Sequence, residues 1–212
     1  MSLLSSLDNY CERIDFSFWS EPVNALTNLS FLAAFIYGLY QLNINKTQLP
    51  LKKLKLLKWI NFTIFLTAIG SFLFHTVANV LSMWGDILPI LLFLLSTIYY
   101  LFCFELHWEK KKIYLFLTGF LFVSVILCFP PFNKLLNGSL LYAPTLLTLG
   151  YVSRTISHFR WVMGLFFVSL VARTTDSMFC EMFPLGTHFL WHVLNGVVMA
   201  LSFKVLCELE SP

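Results

Sequence analysis

Apolar residues fill this chain in seven long stretches separated by short polar linkers. The stretches cover about residues 23–43, 57–80, 84–105, 113–129, 139–153, 160–179 and 184–206. A helix that crosses a bilayer needs roughly 20 mostly apolar residues. Each stretch therefore reads as a span, the fifth being the weakest, short and with Pro144 inside it. A transmembrane barrel would show shorter segments of strict alternation. The pattern predicts an all-α membrane protein, a seven-transmembrane-helix bundle. Residues 1–212 form one domain that opens with an acidic N-terminal segment, 1–22.

Composition agrees with this reading. The chain is 58% hydrophobic and 12% charged, and it carries 23 phenylalanines. A soluble domain has roughly twice that share of charge. The net charge of +3 comes from linker lysines and gives no reason to invoke nucleic acid. The segment 1–21 is polar and aromatic, without a basic start or an apolar core, so no cleavable signal peptide is expected.

The linkers give an orientation. Lys46, Lys52, Lys53, Lys55 and Lys58 cluster in the first connection, Lys110, Lys111 and Lys112 in the third, Arg154 and Arg160 in the fifth. The opposite side holds only Arg13 and Lys134 in its loops. Basic linkers favour the cytoplasm, which places the N-terminus outside and the C-terminus in the cytoplasm. The five cysteines form no CxxC pair. Cys11 and Cys180 could face the same non-cytoplasmic side, where a disulfide between them is possible.

Ionisable residues at membrane depth are costly and mark functional sites by default. His107 and His158 fall in cytoplasmic linkers and read as solvated. His75 lies near the end of the second stretch, about 9 Å below the outer surface at 1.5 Å per helical residue. His188 and His192 lie near the start of the seventh, one helical turn apart and so on one face. With seven spans these ends all face outward, and Asp86, at the start of the third stretch, joins them.

Three neutral imidazoles with an open fourth position suit catalytic zinc, which lowers the pKa of a bound water. Asp86 could accept that proton and pass it to a leaving group. Ser71, one turn below His75, could hydrogen-bond the water or an oxyanion. Spacing alone leaves other readings open: polar packing between helices, or haem held by two histidines. A Ser–His intramembrane protease is disfavoured because no GxS motif opens a helix.

The residues resemble a known family. GSFLFH (70–75), Asp86 in GDILP, and HFLWH (188–192) are similar to the alkaline ceramidases, members of a wider superfamily of seven-span hydrolases that includes the adiponectin receptors. Leu88-Pro89, Trp191, Asp176 with Phe179-Cys180-Glu181, YCER (10–13) and EPVNALTNLSF (21–31) extend the likeness over nearly the whole chain. The resemblance implies a multi-pass, zinc-dependent amidase that cuts the N-acyl bond of ceramide. By analogy His75, His188 and His192 bind zinc, while Asp86 and Ser71 position or deprotonate water. The substrate would come from the bilayer, the active site would face the non-cytoplasmic side, and no obligate protein partner is implied.

The family also carries a calcium site built by its acidic N-terminal segment. Its D-W-C-E-x-N pattern reads here as Asn9-Tyr10-Cys11-Glu12-Arg13-Ile14. Asp8, Asn9, Tyr10, Glu12, Asp15 and Glu21 are the candidate calcium set, Glu12 and Glu21 foremost; the competing reading is a solvated acidic surface segment. Ceramide or a ceramide-like lipid is the expected substrate, although the compact loops would also suit another lipid amide or an ester. The alternative function is a seven-span lipid receptor or lipid-binding protein that keeps zinc with little turnover.

Overall fold

The computed structural model describes residues 2–209, and these are helical with no strand. The chain enters through a short helix α1 (Pro22–Thr27), which turns at Asn28 into α2 (Leu29–Asn45). Next come α3 (Leu51–Val77) and α4 (Val80–Tyr100), the latter continued by a wider turn, Leu101–Glu105. After α5 (Lys110–Leu127) a tight 3-10 segment, Phe132–Tyr142, leads into α6 (Ala143–Val152). The last two helices are α7 (Phe159–Phe179) and α8 (His188–Glu208). Six of the resulting rods are long and apolar enough to cross a membrane: Pro22–Asn45, Leu51–Val77, Val80–Glu105, Phe132–Val152, Phe159–Phe179 and His188–Glu208. The protein is therefore an integral, multi-pass, all-helical membrane protein.

Helix ends differ from the apolar stretches for local reasons. α3 begins at Leu51, just after Pro50, so Lys52, Lys53, Lys55 and Lys58 lie in its first turns rather than in a linker. Lys53 is buried there and pairs with Glu105 at 2.8 Å. The turn between α3 and α4 falls at Ala78–Asn79, earlier than the gap between the apolar stretches that end at 80 and begin at 84. Asn79 accepts from the Ser82 amide while Ser82 Oγ accepts from the Asn79 amide, a reciprocal cap that fixes Val80 as the first residue of α4. α8 starts only at His188, because Gly186 turns the chain at φ +63° and Thr187 precedes the first turn. α5 carries three lysines in its first turn, and α6 is preceded by the left-handed residues Leu136, Asn137 and Gly138.

The core lies where α2, α3, α7 and α8 meet, with Phe31, Ile64, Phe166 and Phe203 among its buried side chains. Many apolar side chains point outward, among them Phe122, Leu147, Trp161 and Phe167. A protein surrounded by lipid needs no polar coat, so this exposure suits a bilayer-facing surface.

The segment before α1 lies across one end of the bundle. Its backbone bonds to the α3–α4 turn through Leu7 to Ala78, Val80 to Ser5 and Leu81 to Leu3. The disulfide between Cys11 and Cys180 ties it to the end of α7.

Candidate active site

The end of α3, the first turns of α4 and the start of α8 meet beneath this N-terminal segment. His75, His188 and His192 converge there, and one ring nitrogen from each lies within 4.8 Å of the others. All three side chains are buried. The imidazole planes of His188 and His192 stand nearly perpendicular, with centroids 4.6 Å apart, and His75 is 4.6 Å from His192.

Their outer nitrogens are held by neighbours that fix the tautomers. His75 Nδ1 lies 2.6 Å from Glu21 Oε2, so Nδ1 donates to the carboxylate and Nε2 keeps its lone pair. His192 Nδ1 lies 3.0 Å from Thr27 Oγ1. The single Thr27 hydroxyl proton already points to the carbonyls of Val23 and Asn24. His192 Nδ1 is thus the donor, and its Nε2 is free as a ligand. His188 packs flat on the Tyr10 ring at 3.7 Å. His75 Nε2 and His188 Nδ1 are buried and make no hydrogen bond. Orphaned imidazole nitrogens aimed at one point are what a metal ion would satisfy. Neutral imidazoles suit zinc and similar transition metals far better than calcium. The cluster therefore fits a metal of the zinc class.

Asp86 and Ser71 stand beside it. Gly70 and Gly85 bring α3 and α4 into backbone contact, since a Cβ on Gly70 would collide with the Gly85 carbonyl and lie 3.2 Å from the Asp86 amide. Ser71, buried one turn below His75, faces the Asp86 carboxyl. Asp86 Oδ1 is buried without a partner. The buried Asp176, noted in the sequence only as a family match, organises the start of α8. Its carboxylate accepts from the amides of Thr187 at 2.7 Å, His188 at 2.8 Å and Cys11 at 3.2 Å. A side chain on Gly186 would strike this carboxylate.

The acidic N-terminal residues proposed for calcium do not converge on one point. Asp8, Asn9 and Asp15 are exposed, and Asp15 bonds locally to Ser17. Glu12 turns to the start of α1 and accepts from the amides of Val23 and Asn24 at 2.6 and 2.8 Å. Burial nonetheless pushes its carboxyl above the usual range. Tyr10 turns to His188, and burial pushes its phenol up as well. Glu21 is held by the guanidinium of Arg13 at 2.5 Å, by His75 and by Asn24 Nδ2 at 3.1 Å. Arg13 also donates to the carbonyls of Asp15 and His75. An arginine thus supplies the positive charge at Glu21, and the set offers no convergent cage of oxygens.

Two groups escaped the sequence reading. Thr27 was hidden because a lone threonine carries no signal. Arg173 was legible as a charge inside the sixth stretch, and it sits beside Tyr10, Tyr142 and Trp191. His107 and His158 are exposed, away from the cluster, as expected of linker residues.

Comparison with curated proteins returns no match. The Ceramidase family model, in contrast, matches residues 3–211, nearly the whole chain. It covers every element of the site just described, and the chain belongs to the Ceramidase family.

Proposed function

We propose that this protein is a zinc-dependent intramembrane lipid amidase, hydrolysing the N-acyl bond of ceramide or a ceramide-like lipid to a long-chain amine and a fatty acid. One observation carries the reading: three buried histidines bring ring nitrogens within 4.8 Å of one another, His75 and His188 each with a nitrogen that has no partner, beside a buried carboxylate with an unpaired oxygen. A purely structural metal site would be closed by a fourth protein ligand and would need no adjacent acid.

His75, His188 and His192 would hold the zinc. Bound there, zinc would polarise the amide carbonyl and acidify a water. Asp86 takes the proton from the attacking water and returns it to the amine nitrogen as the C–N bond breaks. Ser71 donates its one hydroxyl proton to the Asp86 carboxyl and so holds it in place. Glu21 and Thr27 keep His75 and His192 in the tautomers that leave Nε2 free.

The substrate enters from the bilayer. An apolar cavity between α4, α6, α7 and α8, lined by Phe93, Leu149, Phe166, Trp191 and Met199, begins at the turn of α8 that carries His192. Its lining is of the apolar kind that an acyl chain would contact.

The membrane topology belongs to the same proposal. α5 acts as the seventh span through its apolar residues after Lys112. The N-terminus and active site then face the non-cytoplasmic side and the C-terminus the cytoplasm. The Cys11–Cys180 disulfide supports this, because disulfides persist in oxidising compartments.

The reading is tested by incubating detergent-purified protein with ceramide and measuring the released fatty acid. Wild type should hydrolyse it, and Asp86→Asn should lose turnover while keeping zinc. Full turnover in Asp86→Asn would remove Asp86 from proton transfer. Bound zinc without turnover on any lipid amide would favour a receptor or lipid-binding protein.

A further inference from the structure

Two of the three histidines are held from behind by a hydrogen-bonding neighbour, and the third is not. Glu21 faces Nδ1 of His75, and Thr27 faces Nδ1 of His192. Nδ1 of His188 is buried without a hydrogen bond. Asp176 accepts from the His188 amide at 2.8 Å, which fixes the backbone at the start of α8. That bond leaves the imidazole free to turn about its own side-chain torsions. Outer partners orient a ligating ring, and a ring without one holds its metal less tightly.

The Tyr10 ring takes this place. It stacks on His188 with centroids 3.7 Å apart and planes 19° apart. So close a face contact leaves the imidazole little room to tilt. Tyr10 is itself braced from two sides. Its neighbour Cys11 is tied to Cys180 by the disulfide, and the Cys11 amide donates to Asp176 at 3.2 Å. These contacts fix the backbone. The ring is held by Arg173 on α7, which donates to the Tyr10 hydroxyl at 3.2 Å with its guanidinium carbon 6.0 Å from the ring centre.

Arg173 is in turn boxed in. The Trp191 and Tyr142 rings lie 5.5 and 5.8 Å from the guanidinium carbon, and Asn137 donates to the Arg173 carbonyl at 3.2 Å. Asp86 is near enough for its charge to act on the guanidinium, although no ion pair joins the two among the described residues. This opposite charge and the ring faces offset the cost of a cation at membrane depth. The side-chain hydrogen bond that the guanidinium makes goes to Tyr10.

We infer that Tyr10, held by Arg173, is the positioning residue that sets the His188 ring for metal binding. The inference rests on the metal reading of the three histidines. Tyr10 does by stacking what Glu21 and Thr27 do by hydrogen bonding. Arg173 acts through Tyr10, one step further out.

The first test is zinc affinity of the full-length protein, read by chelator competition. Tyr10→Leu removes the stacked ring and should weaken zinc by on the order of 10-fold. Tyr10→Phe keeps the ring and should retain most of the affinity. Arg173→Met should weaken zinc less than Tyr10→Leu, and adding it to Tyr10→Leu should cost nothing more. Wild-type affinity in Tyr10→Leu overturns the inference. Additive losses overturn the route through Tyr10 and direct the effect of Arg173 to Asp86.

The second test needs no metal. Diethyl pyrocarbonate acylates imidazole nitrogens, and peptide masses report each histidine separately. In metal-stripped Tyr10→Leu, His188 should react several-fold faster than in wild type or Tyr10→Phe, while His75 and His192 keep their rates. An equal rise at all three would mark a loosened bundle and overturn the inference, as would an unchanged rate at His188. If wild type retains no zinc, the metal reading fails by itself, and the labelling pattern still decides whether Tyr10 holds the ring.

Discussion

Glu21 Oε2 lies 2.6 Å from His75 Nδ1, while its other oxygen is held by Arg13 at 2.5 Å. One buried carboxylate thus links the segment before α1 to a candidate metal ligand. Outer partners of this kind orient the ring and raise its basicity, and their loss typically weakens metal binding by roughly 10–100-fold. Glu21→Gln should therefore weaken zinc retention by about that factor, read by competition with a graded series of chelators. Unchanged retention would mean that helix packing alone positions His75.

Arg13 should be structurally indispensable and calcium irrelevant. Removing one partner of a buried ion pair costs about 3–5 kcal/mol, so Arg13→Ala should lower the thermal midpoint sharply. Because the guanidinium holds Glu21 where a cation would sit, calcium or a calcium-selective chelator should leave activity and melting temperature unchanged. A rise in either with calcium would contradict the assignment.

The contact between Gly70 and Gly85 sets the distance between Ser71 and Asp86. Gly70→Ala drives a methyl into the Gly85 carbonyl and pushes α4 away from α3. Overpacking of this kind costs about 1–3 kcal/mol. The variant should lose hydrolysis more than zinc, because the histidines sit on α3 and α8 while Asp86 moves with α4. Zinc content and turnover measured on one preparation would separate the two effects.

Burial raises the Glu12 carboxyl above its ordinary range, despite the two amides that favour its charge. A carboxyl raised on folding contributes stability below its unfolded pKa and loses it as pH rises through the folded value. Glu12→Gln keeps an acceptor oxygen and removes the titration. Relative to wild type, its melting temperature should improve as pH is taken from acidic to mildly alkaline. A constant difference would show that Glu12 does not titrate on unfolding.

Much of this arrangement was legible in the chain. The apolar stretches anticipated the helices, and the i,i+4 pair of His188 and His192 anticipated their common face. Helix boundaries were less legible, because caps decide them: the Asn79–Ser82 pair moved the start of α4 earlier, and Gly186 delayed that of α8. The directions of the acidic N-terminal side chains were not legible, because residue type alone does not show direction. Glu12 and Glu21 each found a protein partner, and Arg13, which the sequence shows as a loop charge, pairs with Glu21. The left-handed turn at Leu136–Gly138 likewise left no hydrophobic signature, although it places Tyr142 against Trp191 at 4.9 Å.

The central claim is most directly tested by titrating zinc into metal-stripped protein while following fatty acid release from a lipid amide. The account predicts no release without zinc and a rise that saturates near one zinc per chain. His188→Ala/His192→Ala should remain inactive throughout. Release that persists in the stripped protein, or that ignores added zinc, would contradict it.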